Sequence, residues 1–135
     1  MEQPERAIKV RKDELVEIKK LYEAVMTFAA HGMFYRSGRI VGDRIVKASG
    51  PDLGRVRDAL IREGWVSDIE FDGDVVTVSG SMEASESDMP TCHIMRGILS
   101  KVIEERTGKD VYCHERKCCS KGDEKCVFVI DTEVL

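Results

Sequence analysis

Apolar residues return along the chain in two rhythms, and the points where the rhythm changes divide it into elements. From Asp13, the residues Leu15, Ile18, Leu21 or Tyr22, Val25 and Phe28 or Ala29 recur every three or four positions, the spacing of one side of an α-helix. Gly32 is expected to interrupt that helix. A second helical stretch, about 33–48, carries Phe34, Val41 and Ile45 on one side and ends at Ser49-Gly50-Pro51. Gly38 and Gly42 stand four apart in it, so one face is bare and another backbone can approach. Tight packing against the first helix is the expected use. Asp52–Arg62 reads as a shorter helix with Leu53, Val56 and Leu60 buried, Gly64 as its stop and Trp65 entering the core behind it.

The period then shortens to two. Asp72-Gly73 is a two-residue turn signal between the arms Val66–Phe71 and Asp74–Gly80, and pairing Phe71 with Asp74 sets the register. Ile69, Phe71, Val76 and Val78 then share the core face, while Asp68, Glu70, Val75 and Thr77 share the other. Ser79–Met89 reads as a small acidic loop. Beyond it, Asp88 caps and Pro90 opens a helix that runs to Arg106 or Thr107 and stops at Gly108. Cys92, Met95, Leu99, Val102 and Ile103 make its buried stripe, and His93 is expected on the polar surface. Asp110–Arg116 and Cys126–Asp131 complete the strands, joined by a loop containing Lys121-Gly122-Asp123. The whole is an α+β chain: an antiparallel sheet of about four strands packed against helices as a single-domain sandwich. Residues 1–12 read as a flexible arm and 13–135 as the domain.

Composition narrows the function. With 42% apolar and 34% charged residues and a net charge of −4 carried by interspersed signs, the chain reads as globular, with no nucleic-acid footprint. No apolar run has the length of a membrane span and the N-terminus is no signal peptide, so a cytoplasmic location is expected. Five cysteines in a reducing compartment favour a metal or free thiols over disulfides.

Four side chains can hold one ion: Cys92, Glu115, Cys118 and Cys126. Thiolates suit a borderline-soft ion and four ligands fill a tetrahedron, so Zn2+ in a structural role is the first candidate. Glu115 and Cys118 are three apart and face opposite sides of a regular strand, so joint ligation demands a bulge after Glu115. Cys113 and Cys119 are read as spare thiols. Three thiolates, a carboxylate and a divalent ion total −2, which Arg116, Lys117, Lys121 and Lys125 lie close enough in sequence to offset. No phosphate-binding glycine loop, serine-nucleophile elbow or His-Glu-x-x-His is present, and the three histidines are dispersed.

Certain stretches carry a resemblance: Cys92-His93-Ile94-Met95-Arg96-Gly97-Ile98-Leu99, Thr107-Gly108-Lys109-Asp110-Val111, Glu115-Arg116-Lys117-Cys118, and Gly122-Asp123-Glu124-Lys125-Cys126-Val127-Phe128. They resemble the 4-vinyl-reductase domain, a small sensory module of bacterial regulators of aromatic degradation that also occurs as free-standing archaeal hydrocarbon-binding proteins. In its zinc-binding members a helix Cys is followed by Glu 23 positions later, Cys three further and Cys eight further. Cys92, Glu115, Cys118 and Cys126 reproduce that spacing. The resemblance implies helices on an antiparallel sheet with an apolar pocket between them, which Phe34, Ile69, Phe71, Val76, Met95 and Leu99 are expected to line. Met33, Met95 and the bare glycines leave adaptable volume there.

The function so implied is a zinc-stabilised binding or sensory domain for a small hydrophobic or aromatic molecule. Two other readings stand beside it. Reduction of a vinyl group would need an electron donor, and no nucleotide or flavin motif is visible. A protein-interaction module, like the vesicle-tethering subunits that share this scaffold, would have its pocket filled by its own side chains. A separate signalling protein and a homodimer are open as partners, and neither nucleic acid nor membrane is expected.

Overall fold

The structure, a computed structural model, describes residues 6–50, 52–84, 91–117 and 125–132. Its elements follow the order α1 (Lys12–Met26), α2 (Phe28–Ser49), α3 (Leu53–Arg62), β1 (Asp68–Asp72), β2 (Val75–Ser79), α4 (His93–Thr107), β3 (Val111–Lys117) and β4 (Cys126–Thr132). The four strands form one antiparallel sheet in the order β1-β2-β4-β3. This is the α+β architecture that the alternation of rhythms implied.

The first helical run breaks at Thr27 and not at Gly32. Thr27 takes φ 53° and ψ −128°, while its N–H still bonds the Glu23 carbonyl at 2.8 Å. Gly32 continues inside α2, where an interior glycine costs only about 1 kcal/mol relative to alanine. That cost is outweighed because α2 is held along its length by α4.

The bare face of α2 meets α4, not α1. Gly38 and Gly42 are buried, and a Cβ added at Gly38 would overlap the Ile94 carbonyl. The approach is mutual, since a Cβ on Gly97 of α4 would overlap the Tyr35 carbonyl. With α2 on one side and β3 on the other, most of α4 from His93 to Ser100 is buried. Its far end stops as expected at Gly108, which turns left-handed at φ 73°.

The hairpin keeps its expected face with a shifted register. Phe71 pairs with Val76 and Asp72 with Val75, so the turn residues are Gly73 and Asp74. Gly73 leads with φ 58° and Asp74 does not share the positive φ, a pattern that fits a type II′ turn and shifts each pairing by two residues. Parity is unchanged. Ile69, Val76 and Val78 are therefore buried and Phe71 is half-buried against the same core.

α3 is capped by Asp52, whose carboxylate accepts from the Gly54 and Arg55 amides at 2.8 and 3.3 Å. Trp65 is half-buried against the core, as expected. Among the described residues, no helix is long and apolar enough to cross a membrane.

Candidate metal centre

After Gly108, β3 runs back along α4, so its end returns to where α4 begins. The antiparallel β4 starts beside that same end. Cys92, Glu115 and Cys126 are brought together by this topology, and one donor atom from each lies within 4.8 Å of the other two. Both cysteines are fully buried and their sulfurs are 3.7 Å apart. The Glu115 carboxylate accepts the Cys92 N–H at 3.3 Å. Between Glu115 and Lys117 the ladder slips: Glu115 faces Phe128 while Lys117 faces Val127. This is the bulge that joint ligation from the end of β3 requires. Cys118, Cys119 and the loop 121–123 lie outside the described residues, as do Asp88 and Pro90.

Cys92 is not inside the first turn of α4 but at its N-cap. The cap is supplied from a distance. Both oxygens of Glu83 accept backbone amides, Oε2 from Ile94 at 2.9 Å and Oε1 from Met95 at 2.7 Å. Lys19 of α1 meets Glu83 Oε2 at 2.5 Å and also donates to the Thr91 carbonyl. Both residues of this pair are buried. Ser81, also buried, stands 3.2 Å from Cys92 Sγ and accepts the Glu83 N–H at 3.3 Å. Burial pushes the Glu83 carboxyl up, opposed by Lys19 and by the two amides. Lys12 adds three bonds to the carbonyls of Ser81, Met82 and Ala84. The stretch expected as a small acidic loop thus carries buried groups that hold the start of α4. No periodicity marks Lys19 or Glu83, and the only hint is an acid upstream of a helix N-terminus.

His93, expected on the surface, is buried and stacks on His31 with ring centroids 4.1 Å apart. Arg96 reaches His93 Nδ1 at 3.1 Å, and a guanidinium can only donate, so Nδ1 is the accepting nitrogen. Cys113 is buried two residues before Glu115 but is not part of the three-residue cluster. Burial pushes its thiol up to about 12.

The residues expected to line a pocket meet in one core. Phe34, Ile69, Val76, Met95 and Leu99 are buried in it and Phe71 packs against it. A separate groove of about 620 Å³ lies outside this core, with Ile8, Leu15, Ile18, Trp65 and Met82 among its walls, and none of the six lines it.

Residues 74–132 match the family model of the 4-vinyl-reductase domain. A 42-residue stretch is 38% identical to an uncharacterized protein of Methanocaldococcus jannaschii, and that match spans 31% of this chain and 24% of the relative's length. A solved vinyl-4-reductase family protein from the same organism superposes with a TM-score of 0.71 at 18% identity, over 95% of this chain and 85% of that one. The phenol-responsive sensory domain of the transcription activator PoxR, solved with phenol, superposes with a TM-score of 0.73 at 18% identity, over 93% and 76%. At these identities the two structures establish a shared fold.

Proposed function

Because residues 74–132 of this chain are a 4-vinyl-reductase domain, we propose that the protein binds a small apolar or aromatic molecule and is stabilised by a structural zinc ion. The observation that carries the metal half is the meeting of Cys92, Glu115 and Cys126 at the ends of three elements. Two thiolates on a tetrahedral zinc, each at about 2.3 Å, stand about 3.8 Å apart. The 3.7 Å between the sulfurs of Cys92 and Cys126 agrees with that edge. Cys118, next along the chain after the bulge, is the fourth ligand of the proposal. Four protein ligands leave no open coordination position, so the ion holds α4 to the β3–β4 hairpin and takes no part in hydrolysis.

The ligand half rests on the domain family and on the core shared by α2, the hairpin and α4. PoxR's sensory domain has this fold and was solved with phenol. In this chain the bound molecule would lie among Phe34, Ile69, Phe71, Val76, Met95 and Leu99, which draw on all three of those elements. The test is mass spectrometry of the native protein taken from its host. A retained apolar molecule together with about one zinc per chain supports the reading. Protein carrying neither, and unresponsive to a panel of small aromatic compounds in thermal melts, overturns it.

A further inference from the structure

Cys92 is the N-cap of α4, where an anionic side chain would ordinarily draw on the amides two and three residues further on. Here those amides are taken, because the Ile94 and Met95 N–H groups go to Glu83 at 2.9 and 2.7 Å. A hydroxyl faces the sulfur in their place. Ser81 Oγ lies 3.2 Å from Cys92 Sγ, and both residues are buried. Ser81 Oγ also accepts the Glu83 N–H at 3.3 Å, which leaves its one proton to donate. A metal-bound cysteine is a thiolate and can only accept. With Cys92 in that state the bond runs from the Ser81 hydroxyl to the Cys92 sulfur.

We propose that Ser81 is a positioning residue of the metal centre, its hydroxyl orienting the Cys92 thiolate and drawing off part of its charge. The inference rests on the zinc reading above. Ser81 is itself held in place before any ion arrives. Gly80 turns the chain out of β2 at φ 63°, and the segment is pinned on both sides, Ser67 N–H to the Ser79 carbonyl at 2.9 Å and Met82 N–H to the Trp65 carbonyl at 2.8 Å. Lys12 holds the Ser81 carbonyl at 2.9 Å. A donor fixed in this way loses little further freedom in making its bond. Glu115 is served alike, since it accepts the Cys92 N–H at 3.3 Å. Two of the ligands thus each receive a hydrogen bond of their own.

The test compares the native chain with Ser81→Ala, Ser81→Thr and Ser81→Val, the last two alike in shape and different in the hydroxyl. Zinc affinity is read by competition with a chromophoric chelator. Protein loaded with Co2+ is read by its sulfur-to-cobalt charge-transfer band, which a merely structural role for Ser81 would not move. Ser81→Ala and Ser81→Val are expected to bind zinc about 10–100-fold more weakly. Their bands should move to longer wavelength, because a sulfur that loses a hydrogen bond gives up its electrons more readily. Ser81→Thr should keep both values. Ser100→Ala removes another buried hydroxyl, outside the cluster, and should change neither. The band is read on metal-loaded protein, so it decides even where a metal-free variant does not fold. An unmoved band in Ser81→Ala and Ser81→Val overturns the inference and leaves the zinc reading standing. A native chain that binds neither ion overturns the zinc reading and this inference with it.

Discussion

The sulfurs of Cys92 and Cys126 lie 3.7 Å apart although 34 positions separate the two residues. The proposed shared ion would account for that approach. Elemental analysis of protein purified without added metal should find about one zinc per chain, and chelation should lower the melting temperature. Cys126→Ser and Cys118→Ser should each lose the ion together with much of the stability, since coordination energy here is folding energy. Cys113→Ala should keep it, because Cys113 stands outside the cluster formed by Cys92, Glu115 and Cys126. Cys119→Ser should keep it too. Release of zinc by Cys113→Ala, or unchanged melting after chelation, would contradict the ligand set.

The crossing of α2 over α4 makes three glycines unequal. At Gly38 an added Cβ would strike the backbone of Ile94, and at Gly97 that of Tyr35, so no side-chain shift can relieve it. Gly38→Ala and Gly97→Ala should each cost more than the about 1–3 kcal/mol usual for overpacking. Gly32 sits in the same helix as Gly38 with open space around it. Gly32→Ala should stabilise by about 0.5–1 kcal/mol. Denaturant midpoints for the three variants check the order.

Much of this was legible in the sequence, for a physical reason in each case. Period-two alternation settles which side of the hairpin is core, and Val76 and Val78 obey it even though the turn sits one residue further on than Asp72-Gly73 implied. Joint ligation by Glu115 and Cys118 would demand a bulge after Glu115, and the ladder slips between Glu115 and Lys117. What stayed hidden depends on tertiary partners. Periodicity marks the stripe through Ile18, Leu21 and Val25 but cannot say which way it faces, and all three are exposed. His93 looked polar and is buried because His31, 62 positions earlier, stacks on it. Glu83 looked like loop and is buried because α4 needs a cap and Lys19 comes from α1 to neutralise it.

That last pair should be costly to break from one side. Lys19→Met leaves Glu83 buried without its cation, at a cost of about 3–5 kcal/mol, the range for a buried ion pair stripped of one partner. Adding Glu83→Gln to it removes the unpaired charge while keeping an oxygen for one of the two amides, so part of the loss should return. A double variant no more stable than Lys19→Met alone would show that the pair does not act as a charge pair. The readout is the unfolding free energy of the single and double variants.

Phe71 offers the sharpest probe of the ligand. Its neighbours on the hairpin face, Ile69, Val76 and Val78, are fully buried, whereas Phe71 is half-buried against the same core. Because Phe71 is only half-buried, a larger ring at that position should be tolerated without displacing the sheet. Phe34 from α2 and Met95 and Leu99 from α4 belong to that core as well, and Met95 can adjust its shape to a guest. A phenol or another small aromatic compound should therefore raise the melting temperature of the native chain. Phe71→Trp should fold normally and lose that shift, because the indole occupies the volume the guest would take. If the variant keeps the full shift, the guest binds elsewhere, and the groove beside Trp65 becomes the place to look. If the native chain, verified free of carried-over ligand, shows no shift with any apolar compound, the core is filled by its own side chains and the domain does not bind small molecules there.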